Sequence, residues 1–246
     1  MTRVAVVTGA AGGLGRATVA AFRHDGWTVA GIDRVEGTET DLGDVYISAN
    51  LADDASVEAA FGQLARLERI DALVNNAAIQ LGSTLVETSP DDWDAVMASN
   101  VRSAYLAIRA AHPLMRHGDA AIVNVSSVHA VATSVGVAAY ATSKAALVGL
   151  TRAAALELAS SGIRVNAVLP GAVDTPMLQA GIRRRRAATA DAALAELESR
   201  TPLGRVATPQ EIAQAILFLA DSDRSSFMTG QSMIVDGGAT TRLSTE

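Results

Sequence analysis

The sequence of 246 residues contains no cysteine, and that absence excludes disulfide bonds, thiolate metal sites and a cysteine nucleophile. It also contains no run of about eighteen apolar residues, so it predicts no membrane-spanning helix. The first apolar run is too short for a secretion signal and passes directly into a glycine-rich loop. We therefore expect a cytoplasmic protein without a membrane anchor.

The sequence also has no excess of positive charge. The net charge is −6 and the pI about 5.2, which predicts that neither nucleic acid nor an anionic membrane is a partner. The four histidines are scattered, and the motifs HExxH and GxSxG do not occur, so the sequence predicts no metal site and no hydrolase. Because 49% of the residues are apolar, a large buried core is expected and global disorder is excluded.

Lysine is almost absent: of the twenty basic residues, Lys144 is the one that is not arginine. It lies four residues after Tyr140 in AAYATSKAAL (138–147), a spacing that puts both side chains on one face of a helix. An unperturbed tyrosine has a pKa of ~10, and a neighbouring ammonium lowers it. A phenol of lowered pKa can exchange a proton with an alcohol or a carbonyl. The pair is therefore a candidate acid/base site.

Short apolar segments alternate with longer amphipathic ones along the chain. Most of the short segments are continuous apolar runs, which are typical of strands buried on both faces of a parallel sheet. Strands are predicted at residues 3–8, 28–33, 45–49, 71–76, 120–127, 163–170 and 232–238. Helices are predicted at 15–25 and 54–67, from Ser89, through the stretch 140–144 to about Ser160, and from Thr208. This alternation predicts an α/β fold with one Rossmann-type domain: a doubly wound, mostly parallel seven-stranded sheet with helices on both faces.

A glycine-rich loop follows the first predicted strand and opens the first predicted helix. Gly9, Gly13 and Gly15 in VVTGAAGGLGRA permit a tight turn, close approach of a pyrophosphate and close packing of the helix. Asp33 ends the second strand, where a carboxylate can accept hydrogen bonds from ribose hydroxyls and repel a 2′-phosphate. This favours NAD over NADP. The neighbouring Arg34 could bind that phosphate and keeps NADP open.

Several motifs occur together in a fixed order over essentially the full length: TGAAGGLG (8–15), NNAA (75–78), SNVRSAY, NVSS (124–127), YATSK (140–144), PGAVDTP (170–176) and VDGG (235–238). In this combination the chain resembles the classical short-chain dehydrogenase/reductase family. The resemblance implies an NAD(P)-dependent oxidoreductase that interconverts a secondary alcohol and a ketone by hydride transfer. It implies that Tyr140 is the general acid/base and that Lys144 lowers its pKa and holds the nicotinamide ribose. It also implies that Ser127 orients the substrate oxygen and that Asn100 supports a water-mediated proton relay.

The same resemblance implies a set of cofactor-binding residues from the glycine loop and the ends of the strands. They are Gly9, Gly12, Gly13, Leu14, Gly15, Asp33, Asn50, Leu51, Asn76, Ala77, Tyr140, Lys144, Pro170, Gly171, Val173 and Thr175. The dinucleotide-binding half is expected at about 1–120 and the catalytic half at about 120–246, with a substrate lid at about 176–207. Four successive arginines, Arg183 to Arg186, fall in this lid. They are either a solvated helix face or an attraction for an anionic substrate.

Gln80 and His129, together with Ser127 and Tyr140, are predicted to contact the substrate. Gln80 and His129 resemble residues of the D-3-hydroxybutyrate dehydrogenases within this family, but those enzymes carry a lysine where this sequence has Val137. A small hydroxy acid, a sugar and a cyclic alcohol all stay open as substrates. An NADPH-dependent 3-oxoacyl-(acyl carrier protein) reductase is an alternative. A non-catalytic dinucleotide-sensing protein is disfavoured by the retained tyrosine and lysine. The resemblance further implies a homotetramer.

Overall fold

The protein is built on a parallel sheet. The computed structural model describes residues 2–35, 42–115, 118–184 and 189–241. Its strands are β1 (Val4–Thr8), β2 (Thr28–Asp33), β3 (Val45–Ser48), β4 (Ala72–Asn75), β5 (Ala121–Val125), β6 (Arg164–Pro170) and β7 (Ser232–Val235). They lie in the order β3-β2-β1-β4-β5-β6-β7, and every neighbouring pair is parallel. The predicted seven-stranded, doubly wound sheet is confirmed.

Helices connect these strands. They are α1 (Gly13–His24), α2 (Asp54–Leu64), α3 (Pro90–Met97), α4 (Ser103–Ala111), α5 (Ala138–Leu158), α6 (Pro176–Arg184), α7 (Ala190–Arg200), α8 (Pro209–Ala220) and α9 (Ser222–Ser225). Side-chain caps fix several starts: Asp53 accepts from Ser56 N at 2.8 Å, and Thr208 and Glu211 form a reciprocal capping box. None of the helices in the described ranges is long and apolar enough to cross a membrane.

The core lies on both faces of the sheet. Helices α1 and α8 cover one face, and α2, α4 and α5 cover the other. Successive strand residues alternate between the two layers: Ala5 and Val7 of β1 pack on the α1/α8 side, and Val6 packs on the opposite side. Because the side chains on both faces of the sheet are buried in apolar layers, each strand is a continuous apolar run in the sequence. This explains why such runs predicted the strands correctly.

One irregularity interrupts the segment between α3 and α4. Residues Ala98–Arg102 form a π-helical turn, which carries Asn100. Such turns insert extra backbone into a helix and often occur at functional sites. The predicted lid contains α6 and α7, which flank the same edge of the sheet as the loops after β1, β2 and β4. Within it Arg183 is exposed, and Arg185 and Arg186 lie outside the described residues.

Candidate active site

The glycine loop forms one wall of a cleft at the carboxyl ends of the strands. Gly9 has φ +66°, a conformation that favours glycine, and a Cβ on Gly15 would lie 2.0 Å from the Gly9 carbonyl oxygen. The N-cap of α1 is Gly12, which offers no side-chain cap, so the first turn keeps N–H donors for a ligand. The glycines leave a space that side chains would otherwise fill, and this space lies at the positive end of α1. It therefore fits the pyrophosphate of a dinucleotide.

The start of the next loop is tied to this wall. The Asn76 Nδ2 group donates to the carbonyl oxygens of Thr8 and Gly9, at 3.0 and 3.1 Å. The Thr8 hydroxyl accepts from the backbone N–H groups of Asn76 and Ala77, at 3.0 and 3.1 Å. The ends of β1 and β4 are therefore held together by Thr8, a residue to which sequence reasoning assigned no role.

Asp33 presents its carboxylate at the end of β2. One oxygen accepts from Ala11 N at 2.9 Å and the other from Arg34 N at 2.7 Å. These bonds fix the carboxylate beside the glycine loop, and both Asp33 and the exposed Arg34 line the cleft. The position suits an acceptor for ribose hydroxyls. After β3, Asn50 closes a local turn by accepting from Ala52 N at 3.1 Å.

Lys144 of α5 lines the same cleft. Its Nζ group donates to the Val125 carbonyl at 2.8 Å and lies 5.5 Å from the centre of the Tyr140 ring. The residue is 2% exposed, and burial lowers the pKa of its ammonium to about 8. The Val125 carbonyl at the end of β5 therefore fixes the position of the Lys144 amine. The sequence could not reveal this contact, because the acceptor is a backbone group.

Tyr140 differs from the sequence expectation in one respect. Burial raises its pKa to about 12, and a hydrogen bond with Ser127 acts in the opposite direction without overcoming it. The net direction of the shift is therefore upward, and the lowering effect expected of a protonated Lys144 stays a prediction. The main cause is burial, because desolvation disfavours the charged phenolate.

The two adjacent serines have different partners. The Ser126 hydroxyl donates to the Lys144 backbone carbonyl at 2.8 Å and so fixes α5 against β5. The Ser127 hydroxyl bonds with Tyr140 and accepts from His129 N at 3.2 Å. Ser127, the predicted choice, is therefore the serine that faces the phenol.

Asn100 is placed differently from the other predicted residues. Its Oδ1 atom accepts from Ile79 N at 2.8 Å, and its Nδ2 group donates to Ile79 O at 3.0 Å and to the Ser143 hydroxyl at 2.9 Å. Ser143 in turn donates to the Tyr140 carbonyl at 2.7 Å. The Asn100 side chain thus clamps the loop after β4 to the first turn of α5. Ser143 completes this clamp, and its small buried side chain gave no signal in the sequence.

One cleft of about 1320 Å³ collects the rest of the predicted site. Every predicted cofactor and substrate residue lines it: Gly9, Gly12, Gly13, Leu14, Gly15, Asp33, Asn50, Leu51, Asn76, Ala77, Gln80, Ser127, His129, Tyr140, Lys144, Pro170, Gly171, Val173 and Thr175. Asn100 is not among the lining residues. At the substrate end, His129 Nδ1 bonds with the Thr133 hydroxyl at 3.0 Å, and its ring meets the Tyr140 ring edge-on at 5.8 Å.

Comparison with known proteins decides the family. A family model described as enoyl-(acyl carrier protein) reductase matches residues 9–240. The chain is 40% identical over 249 residues to 3-oxoacyl-(acyl-carrier-protein) reductase of Thermotoga maritima, across 96% of this chain and 97% of the relative. The chain belongs to the short-chain dehydrogenase/reductase family.

Two further members show how varied the relatives are. A cyclopentanol dehydrogenase of Comamonas testosteroni is 43% identical over 178 residues, across 72% of this chain and 68% of that protein. The solved structure of an aldohexose dehydrogenase of Thermoplasma acidophilum superposes with a TM-score of 0.92 at 32% identity, across 99% of this chain and 96% of that chain. As a short-chain dehydrogenase/reductase, the chain is an NAD(P)-dependent oxidoreductase that acts on CH–OH groups. The predicted family and reaction class are confirmed.

In this short-chain dehydrogenase/reductase, residues of α6 and α7 also line the cleft. Met177, Leu178 and Ile182 of α6 line the cleft, as does Arg200 at the end of α7. The helical pattern of 176–207 indicated helices there, but it could not show which face meets the cleft, because that depends on how the two helices pack.

Proposed function

We propose that this enzyme interconverts a secondary alcohol and its ketone with Tyr140 as general acid/base. One observation carries the proposal: the buried Tyr140 hydroxyl bonds with Ser127, and Lys144 lies one turn along the same helix, in the cleft that holds the glycine loop. A phenol, a hydroxyl and an amine beside a dinucleotide cradle are the groups needed to hold a carbonyl oxygen and supply its proton.

In ketone reduction, Tyr140 supplies that proton. Because burial raises its pKa to about 12, the side chain is a phenol at neutral pH and can donate. The Ser127 hydroxyl holds the ketone oxygen next to it. The hydride for the carbonyl carbon, and its acceptor in alcohol oxidation, would be supplied by a nicotinamide held in the cleft. Lys144, when protonated, stabilises the phenolate that remains after the transfer and offers N–H donors to the ribose hydroxyls.

NAD is the proposed cofactor. The Asp33 carboxylate is held by two backbone N–H groups at the cleft, where it would accept from the ribose hydroxyls and repel a 2′-phosphate. Asp33→Asn keeps the shape and removes the charge, so we expect NAD to bind about tenfold or more weakly, since hydrogen bonds to charged groups contribute about 1.5–3 kcal/mol. The matched control is Arg34→Ala, which should leave NAD affinity within about threefold because that side chain is exposed.

An NADPH-dependent 3-oxoacyl reductase is the second candidate. Two observations favour it: Arg34 also lines the cleft, where it could meet a 2′-phosphate, and a relative of that name is 40% identical. The same pair of variants separates the two. If Arg34→Ala abolishes activity with NADPH and Asp33→Asn leaves activity with NADH unchanged, the NAD assignment is wrong.

For the substrate we propose a neutral secondary alcohol. The segments next to the catalytic residues contribute Val128, Val135 and Val137 to the cleft, and α6 contributes more apolar side chains. Val137 occupies the place where a lysine would hold a carboxylate, and His129 and Gln80 contribute hydrogen-bonding side chains to the cleft. The names of two relatives, for cyclopentanol and for aldohexoses, support this class.

The test is the absorbance change of the nicotinamide with purified enzyme. Cyclic alcohols, aldohexoses, D-3-hydroxybutyrate and a 3-oxoacyl thioester are each offered with NAD(H) and NADP(H), and Tyr140→Phe is the control. We expect turnover of a neutral alcohol with NAD and its loss, by at least about a hundredfold, in the variant. Preference for the hydroxy acid would overturn the neutral-substrate proposal. Full activity in Tyr140→Phe would overturn the acid/base assignment.

We also propose that the enzyme is a cytoplasmic homotetramer of single-domain subunits. Its halves share one continuous sheet, since β4 pairs with both β1 and β5. Tyr105 on α4 and Leu156 on α5 are 49% and 83% exposed, and they give the outer faces of these helices apolar groups for packing on other subunits. Light scattering of the purified protein tests the assembly, and a monomeric mass would overturn it.

A further inference from the structure

The chain has a single side-chain amine. Lys144 is the one lysine among twenty basic residues, and the others are arginines. A guanidinium stays protonated at all ordinary pH values and is a poor nucleophile, whereas a neutral ε-amine attacks carbonyl-type carbons readily. A reagent that modifies lysine side chains therefore has a single side-chain target in this protein, beside the catalytic tyrosine, and the α-amine is the other amine it can reach.

The surroundings of Lys144 make the amine more reactive than an exposed lysine. Within the described residues its Nζ group has one hydrogen bond, to the neutral Val125 carbonyl, and forms no ion pair with a carboxylate. Burial without a counter-charge favours the neutral amine and lowers its pKa from 10.5 to about 8. At pH 7 about a tenth of such an amine is neutral, compared with roughly three in ten thousand for an unperturbed lysine.

The amine is also within reach of a small molecule. Lys144 lines the same cleft of about 1320 Å³ as the glycine loop and Tyr140, although the residue as a whole is 2% exposed. A small linear electrophile can enter this cleft, whereas a bound dinucleotide would cover the amine. The site therefore combines a raised fraction of neutral amine with an entrance that the cofactor would close.

We propose that Lys144 is a selective carbamylation site for isocyanic acid, the reactive form of cyanate. The lone pair of Nζ attacks the isocyanate carbon and an N–C bond forms. The amine proton passes to the isocyanate nitrogen, so nothing leaves and a neutral urea group replaces the amine. The product carries no positive charge that could stabilise a Tyr140 phenolate, and its added carbamoyl group occupies space in the cleft. Loss of activity rests on the proposed function, but formation of the adduct does not.

The experiment compares Lys144 with a reference lysine in the same protein. Arg152 is exposed on α5, and Arg152→Lys introduces a solvated lysine two turns along the same helix. This variant is incubated with cyanate at pH 7, with and without NAD, and the adducts are followed by peptide mass spectrometry alongside activity. The α-amine of the protein is resolved as a separate peptide. Lys144→Arg serves as the control that should form no adduct in the 138–147 region.

We expect Lys144 to be modified at least about tenfold faster than the introduced lysine, and activity to fall in step with that adduct. Saturating NAD should slow the reaction at Lys144 and leave the reference lysine unaffected. Modification of the introduced lysine ahead of Lys144 would overturn the proposal. If Lys144 forms the adduct and activity persists, the modification site stands and the catalytic role assigned to Lys144 fails.

Discussion

The closest contact of the glycine loop gives a quantitative prediction for Gly15. A Cβ there would lie 2.0 Å from the Gly9 carbonyl oxygen and 2.8 Å from the Gly9 carbonyl carbon. Both are backbone atoms, so the loop must move. Alanine in place of glycine stabilises a helix by about 1 kcal/mol, and overpacking costs about 1–3 kcal/mol. Because backbone has to shift, the upper end applies, and Gly15→Ala should lose about 2 kcal/mol of unfolding free energy.

Gly62 provides the matched control. It is exposed in α2, and a Cβ there would meet nothing within 4 Å. Gly62→Ala should therefore gain about 0.5–1 kcal/mol from reduced chain entropy and better helix propensity. The same chemical change is expected to have opposite signs at the two positions. Urea unfolding of both variants and the parent, followed by circular dichroism, measures the difference.

The Gly15 substitution should also weaken cofactor binding. Moving the Gly9 carbonyl displaces the loop whose backbone faces the pyrophosphate, and a loss of 1.4 kcal/mol corresponds to a tenfold increase in Kd. We expect the Kd for NAD to rise at least about tenfold in Gly15→Ala and to stay unchanged in Gly62→Ala. A Gly15→Ala protein with the stability and NAD affinity of the parent would refute the reasoning, since the contact would then not constrain the loop.

Two further predictions concern α5. The Thr151 hydroxyl accepts a hydrogen bond from the Asn124 amide at 2.8 Å in the core. Thr151→Val removes that acceptor, so the free energy of unfolding measured in urea should fall by about 1–3 kcal/mol. Thr142 is exposed, and Thr142→Val should change the free energy of unfolding by less than about 0.5 kcal/mol. Equal effects would contradict a role for that buried bond. Burial lowers the pKa of Lys144 from 10.5 to about 8. Between about pH 8 and 10.5 the unfolded chain therefore binds more protons than the folded chain, and the stability of the parent rises with pH relative to Lys144→Met. The stability advantage of Lys144→Met at pH 7 should shrink by pH 10, and a pH-independent difference in the same urea assay would contradict this.

The sequence predicts all seven strands, because a strand that is covered on both faces of the sheet is apolar at successive positions. The ends of strands are less predictable. The run 120–127 extends past β5 because Ser126 and Ser127 turn into the cleft, and the run 232–238 extends past β7 because Gly237 and Gly238 adopt φ of +63° and +88°. The π-helical turn at Ala98–Arg102 was not predicted, since a change of hydrogen-bond register leaves no mark in the residue pattern.

The site shows a similar division. The order and spacing of the motifs predict which residues line the cleft. They do not reveal the Val125 carbonyl that holds Lys144 or the Ser143 hydroxyl that holds Asn100, because these contacts join distant segments. The direction of the Tyr140 pKa was missed for the same reason. Burial of a phenol is a property of the folded chain, and at this position it exceeds the opposite effect of the hydrogen bond with Ser127.

The strand order has a consequence for the growing polypeptide on the ribosome. Strand β1 lies inside the sheet, and each later strand is added at an edge that already exists: β2 and β3 on one side, then β4 to β7 on the other. No strand has to insert between two that are already paired, so the sheet can assemble in the order of synthesis. The exception is one helical layer. Val19 and Phe22 of α1 are covered by α8, which emerges much later. Until then this apolar surface of the nascent polypeptide stays uncovered, which makes it the part of the growing chain most prone to aggregation.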